Sequence, residues 1–378
     1  MKIGFAGRWS AMDKRSWSGT YYYTWNELCK RHDVETFCFK WPWHVREWLI
    51  LKKQYGKIFL KKNVAVEFLH GYAKHFSKRL DDAVKGKNLD ALFVPAAPQL
   101  IAYAKTDIPI IFTTDATFQQ IQTYYHSYRN LAGFSLKQGV AMDKKGFQKA
   151  AHCLLASDWC KNSAVNDYGL NPANITVAPL GANLDHEPAR DDIYFHKKDE
   201  VCRLLFLGVE WERKGGQLAY DAFLALKKMN IPVTLTIIGC VPPFTISDNE
   251  ITVIPFLDKH DAQQSEQLYN HLKNASFLLL PTRAECAGVV FCEASAYGVP
   301  SITTNTGGVS TYVKDGENGF LLEMEENGNE YAERIASVFN NTSLYENLRH
   351  SSRERFEKEL NWGAWGLQFE KILSDITS

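Results

Sequence analysis

With 378 residues, 45% of them hydrophobic and 23% charged, the chain is too long for one ordinary core and has the make-up of a globular protein of two domains, each roughly 180 residues. Its 43 Lys and Arg residues balance 43 Asp and Glu residues, which argues against a dedicated nucleic-acid binder, because such proteins carry a cationic excess that displaces counterions from phosphates. The eight cysteines lack the two-residue spacing of structural zinc sites and read as reduced thiols of a cytoplasmic protein.

The chain opens on an apolar strand, Lys2–Gly7, rather than the longer apolar core of a secretory leader. No apolar run approaches the ~20 residues that span a bilayer. Short apolar runs then alternate with helical patterns along the whole length, the signature of parallel sheets covered by helices. The first half predicts strands at 2–6, 34–39, 90–94, 108–113, 152–156 and 175–178, and helices at 19–31, 64–86, 128–150 and 158–168.

Residues 40–62 hold seven cations against the single acid Glu47, interleaved with Trp41, Trp43, Trp48, Tyr55 and Phe59. Such a segment can lie in a membrane interface, with aromatics at headgroup depth and cations drawn to anionic lipid. The alternative is an apolar face packed on the domain, with the lysines simply solvated.

A Gly turn at 179–183 and a polar stretch to 199 read as a hinge. The rhythm restarts beyond it, with strands predicted at 203–207, 232–238, 251–254, 276–280, 300–304 and 319–322. Helices fall at 214–229, 261–274, 288–298, 326–339 and 343–358, and a last one at 362–376 carries Trp362, Trp365, Phe369 and Ile372 at helical spacing. Two such units leave a cleft between them, and ligands of parallel sheets bind at the carboxyl ends of the strands.

The strongest chemical signal lies at 281–298. After the strand, Glu285 falls in a loop and Glu293 about a turn and a half into the next helix, so both can face one ligand at the helix start. Backbone N–H groups of Ala287, Gly288, Val289 and Val290 would add donors and the positive dipole end that favours a diphosphate. Two glutamates at this spacing are more often a solvated loop and an exposed helix face. The continuation through Gly298, Gly307, Gly308, Asp315 and Gly319 changes that reading.

With it, the segment resembles the donor site of the retaining glycosyltransferases of family four. The resemblance implies an α/β protein of the GT-B fold, two Rossmann-like domains with parallel sheets facing across a cleft. It places an acceptor-side domain at 1–183, a nucleotide-sugar domain at 184–360, and a helix at 361–378 returning to the first. The loop 208–216 is similar to the family's phosphate-binding loop. It sets Gly208, Arg213 and Lys214 where fixed cations would meet the charge that develops on a leaving diphosphate. Many members carry Arg where this chain has Val209.

In the first domain, Gly19 resembles the family's flexible residue whose backbone nears the donor phosphate, with Thr20 beside it; only Gly permits that approach without a Cβ. Asp115 takes the place of the His usual at that strand end, and either contacts the active site or caps the next helix. The resemblance implies that Glu285 holds the sugar hydroxyls and Glu293 the ribose. The departing phosphate oxygen deprotonates the acceptor, with no enzymic nucleophile.

No metal and no cofactor are expected, the nucleoside-diphosphate sugar being a substrate. The partners expected are that donor, a saccharide or lipid-linked acceptor and, through 40–62, the inner face of a membrane, with no nucleic acid. A sugar-nucleotide epimerase of the same fold and a catalytically silent nucleotide-sugar-binding protein are the rival readings.

Overall fold

Strands rich in Val, Ile, Leu and Phe that are buried on both faces belong in parallel sheets sandwiched between helices. The computed structural model describes residues 1–41, 43–193 and 200–377 and divides into two units, Met1–Pro179 with Trp365–Ser378, and Leu180–Ala364. Residues 194–199 of the expected hinge, Pro42, and the side chains at 43–46 lie outside the described residues.

The first unit forms β1 (Lys2–Gly7), β2 (Asp33–Cys38), β3 (Ala91–Pro95), β4 (Ile110–Thr114), β5 (His152–Leu155) and β6 (Ile175–Val177). They pair in parallel in the order β2-β1-β3-β4-β5-β6. The chain leaves β1 toward β2 and returns to build β3 on the other side, so the crossovers diverge between β1 and β3. Leu92, Val94, Phe112 and Leu155 are fully buried under Phe76, Leu80 and Phe147 of flanking helices. From Trp365 onward the last helix closes the opposite face, with Trp365 and Phe369 edge-on to Phe93 at 5.6 Å and His32 Nε2 2.6 Å from Glu370.

The helix Trp43–Phe59 was not among those predicted. Gly56 breaks its sequence pattern, yet the glycine is what lets the helix lie close, since a Cβ there would stand 2.7 Å from Val64 Cγ2. The helix expected from 64 begins only at His70, after a single turn at Val66–Phe68, and the one expected from 128 begins at Gly133.

The second unit repeats the plan with β7 (Cys202–Leu207), β8 (Val233–Ile238), β9 (Ile251–Ile254), β10 (Phe277–Leu280), β11 (Ser301–Thr304) and β12 (Gly319–Leu322). Their order is β12-β11-β10-β7-β8-β9, all parallel, so the crossovers diverge between β7 and β10. Residues 180–183 group with this unit for local reasons. The Leu180 N–H donates to Tyr312 Oη, the Ala182 N–H to the Leu360 carbonyl, and the Trp362 indole N–H to Asn183 Oδ1.

A buried carboxyl fixes the loop after β4. Asp143, on the helix Gly133–Lys149, accepts from the Phe118 N–H at 2.6 Å and from the Tyr168 hydroxyl at 2.7 Å. Burial raises its pKa to about 7, against these two hydrogen bonds, which lower it. The folded value lies above the unfolded one of about 3.9, so the folded chain holds the extra proton between the two, and stability is lost as pH rises through that window. Between pH 5 and 8 the wild type should lose about 2–3 kcal/mol of unfolding free energy relative to Asp143→Asn. Chemical unfolding of both proteins at the two pH values checks this.

Candidate functional site

At the divergence point of the second sheet, the loops after β7 and β10 are stitched together. The Arg283 N–H donates to the Arg213 carbonyl at 2.7 Å, and the Thr282 hydroxyl donates to the same oxygen at 3.2 Å. Gly215 turns the chain between them with φ of 74°, and a Cβ there would fall 1.9 Å from the Pro281 carbonyl oxygen. Gly208 admits the Lys214 stem across the end of β7, where a Cβ would meet Lys214 Cγ at 2.7 Å.

These contacts hold two charged side chains out of water. Lys214 is 9% exposed and Glu285 8%, and the ammonium donates a short hydrogen bond to Glu285 Oε2. The Arg213 guanidinium stands 3.8 Å from the same carboxylate oxygen, donates to the Ala284 carbonyl at 3.0 Å and pairs with Glu210 at 2.9 Å. The Glu285 carbonyl in turn accepts from the Gly308 N–H at 3.0 Å, which ties in the loop after β11. Lys214, Arg213 and Glu285, chosen from the sequence, are therefore one cluster. Val209, by contrast, is 63% exposed.

Glu293 is the fifth residue of the helix Val289–Ala296 and only 2% exposed. It pairs with the Lys259 ammonium at 2.5 Å, across 34 residues. Lys259 follows β9 and carries no sequence signal; only the fold reveals it. The helix starts at Gly288 without a side-chain cap, immediately after Ala287, so Val289 and Val290 form its first turn. Burial pushes the neighbouring Cys292 thiol well up, leaving it a packed, protonated group.

The first unit gathers its candidates at its own divergence point. Between β1 and the helix Thr20–Cys29, Trp17, Ser18 and Gly19 have φ of 50°, 54° and 93°, three successive left-handed residues. After β3, Ala96 is left-handed too, at 45°. The Trp17 indole N–H donates to Asp115 Oδ2 at 3.2 Å, a link absent from the sequence reading. Asp115 does not cap the next helix: Thr117 does, in a capping box with Gln120. The Thr20 hydroxyl is buried and has no hydrogen-bond partner among the described residues.

Two parallel α/β units, each carrying its polar or strained residues at the sheet's divergence point, define a two-domain Rossmann-like protein, a class whose ligands bind at strand ends. Two family models match, Glycosyltransferase Family 4 over residues 20–186 and Glycosyl transferases group 1 over 195–355. The chain belongs to this glycosyltransferase family.

An uncharacterized glycosyltransferase of Methanocaldococcus jannaschii is 27% identical over 179 residues, covering 46% of this chain and 48% of the relative. The chain spans about half the length of the curated relatives it matches. Among solved structures, sucrose-phosphate synthase of Thermosynechococcus elongatus aligns with a TM-score of 0.67 at 15% identity, covering 100% of this chain and 99% of that one. HepE of Anabaena, in complex with UDP and glucose, aligns at 0.63 and 15%, covering 99% of each chain. These likenesses establish the GT-B fold.

The geometry of the Gly215 turn predicts a measurable difference between two glycines. Gly86 shares the φ of 74° but has nothing within 4 Å of where a methyl would be added, whereas Gly215 has the Pro281 carbonyl. Gly86→Ala should therefore cost about 1–2 kcal/mol, the left-handed penalty alone. Gly215→Ala should cost at least ~3 kcal/mol because backbone must also move. Chemical unfolding of the two variants tests the comparison, and equal losses would show that the Pro281 contact has no weight.

Proposed function

We propose that the protein is a retaining glycosyltransferase that moves a hexose-type unit from a nucleoside diphosphate to an acceptor hydroxyl, in the synthesis of a glycan, glycolipid or cell-surface polysaccharide. The observation that carries this reading is the buried Lys214–Glu285 pair at the divergence of β7 and β10, with Arg213 beside it. HepE, solved with UDP and glucose, illustrates the donor class.

In this reading Lys214 and Arg213 turn to the diphosphate oxygens, and Glu285 accepts hydrogen bonds from the sugar hydroxyls. Glu293 takes the ribose, and the N–H groups at Ala287, Gly288, Val289 and Val290 add donors to the anion. Gly208 keeps the path of Lys214 open. Gly19 and Thr20 supply the first domain's contact to the phosphates, and Asp115, held by Trp17, is an active-site contact. The bond from the anomeric carbon to the diphosphate oxygen breaks and its electron pair leaves with the phosphate. The acceptor oxygen bonds to the same face of that carbon, and its proton passes to the departing phosphate oxygen. Negative charge grows on the diphosphate as the bond breaks, so cations fixed beforehand stabilise the transition state more than the ground state.

Glu285→Gln and Lys214→Ala should each lower turnover by at least ~10²-fold while the chain still folds. Turnover with the donor sugar, measured beside circular dichroism, tests this; wild-type rates in a folded variant would remove that residue from the site. Activity should also survive excess EDTA, because the two cations supply the charge that a divalent ion would. Loss on chelation, restored by Mg²⁺ or Mn²⁺, is the contrary result.

A further inference from the structure

The densest run of exposed apolar side chains among the described residues lies on the helix Trp43–Phe59. At 100° per residue, Trp48, Leu51, Tyr55, Ile58 and Phe59 fall within an arc of about 100°. All five are more than half exposed, from 56% to 71%. The arc is centred about 120° round the helix from Leu49 and Gly56, the stripe by which the helix packs on Val64, Val66, Leu69 and Ala132. A helix of a globular domain ordinarily turns its apolar side inward; here the wider apolar side points outward.

The charges of the segment 40–62 are seven cations against one acid. Lys52 borders the arc on one side and lies over the Trp48 ring at 4.2 Å, Glu47 borders it on the other, and Lys61 and Lys62 follow its end, whereas Lys57 and Lys53, the latter 3.9 Å from Glu67, lie on the opposite side of the helix. Glu47 is the only acid within 40–62. Tyr55 and Phe59 form one aromatic pair with ring centres 4.9 Å apart. The surface is the convex side of a helix, whereas saccharides and small ligands are held in concave sites. No described helix is long and apolar enough to cross a membrane.

We propose that this helix docks on an anionic lipid surface, lying in the interface plane with the Trp48–Phe59 arc at the boundary of headgroups and acyl chains and the lysines against the anionic heads. Apolar burial and electrostatic attraction add in such a contact, so both must be needed for full binding. The proposal does not depend on the transfer reaction.

The test is co-sedimentation of the full chain with phosphatidylglycerol vesicles and with phosphatidylcholine vesicles, at low and high salt. Binding should be strong only to phosphatidylglycerol at low salt. It should fall about fivefold for each of Lys52→Gln and Lys61→Gln, following the ~1 kcal/mol expected per lysine at such a surface, and much less for Lys53→Gln, which lies on the opposite side. It should be abolished by combining Leu51→Ser, Ile58→Ser and Phe59→Ser, exposed positions where folding tolerates the change.

A thermal shift with UDP-glucose, run on the same variants, should match the wild type and thereby shows that the fold survives. If no nucleotide sugar shifts the wild type, the donor assignment fails on its own, and the vesicle result still stands or falls separately. Absence of binding to phosphatidylglycerol at low salt overturns the proposal, as does full binding by the triple variant. A concentration-dependent dimer that the triple variant abolishes, without vesicle binding, would instead make the arc a contact between copies of the chain, and overturns it too.

Discussion

A parallel strand can follow another only through a crossover, and where successive crossovers leave in opposite directions the strand ends between them are not covered. Both sheets obey this constraint. In the second it opens between β7 and β10, and the loops that follow those strands carry Gly208, Arg213, Lys214 and Glu285. In the first it opens between β1 and β3, and the segments that follow those strands hold the three successive left-handed residues Trp17, Ser18 and Gly19, and Ala96. The placement of the chemistry is thus a consequence of strand order, and the glycines are what let backbone and side chains share the narrow space.

The Lys214–Glu285 pair bears on both stability and binding. Each ion loses most of its hydration at 9% and 8% exposure, and a buried pair of this kind contributes little net stability even though removing one partner is costly. A pair of such small net worth can be exchanged. A ligand that offers oxyanions to the ammonium and hydroxyl donors to the carboxylate replaces each hydrogen bond, so separating the partners costs little. Arg213 is already ordered beside the pair by the Ala284 carbonyl and Glu210, which limits the freedom that a ligand would take from it.

The strands were legible almost to the residue, because apolar runs bounded by turn residues leave few alternatives: β9 and β12 match their predicted limits, and the others shift by one or two positions at an end. The Glu285, Arg213 and Lys214 cluster was legible because each residue sits within a few positions of a strand end. What stayed hidden depends on long-range pairing. Lys259 meets Glu293 across 34 positions and Trp17 meets Asp115 across 98, and neither Lys259 nor Trp17 sits in a pattern that singles it out. The helix Trp43–Phe59 carries an inward stripe of only Leu49 and Gly56 among its described side chains, so its apolar periodicity does not point to a core. Asp115 as a cap lost to Thr117 because the box with Gln120 satisfies two backbone or side-chain donors at once.

The loop from β1 into its helix makes the same point about strain that the second unit makes about charge. Left-handed conformations at Trp17 and Ser18 cost of order 1–3 kcal/mol each, and a relaxed turn would join β1 to Thr20 for less. The surroundings over-determine the strained path: the Trp17 ring lies edge-on to Tyr21 at 6.2 Å, its N–H is held by Asp115, and Tyr21 donates its hydroxyl to the Pro95 carbonyl at 2.6 Å. Asp115 is itself positioned by the Asp143 hydrogen bond to Phe118, three residues on. The chain from a buried carboxyl to a strained loop ends at Gly19 and the Thr20 hydroxyl, a buried polar group with no hydrogen-bond partner among the described residues. A connector alone would be selected toward relief of both costs. In the reading proposed above, a segment already held in this shape has its donors and its open backbone ready before a ligand arrives, the arrangement that loses least on binding.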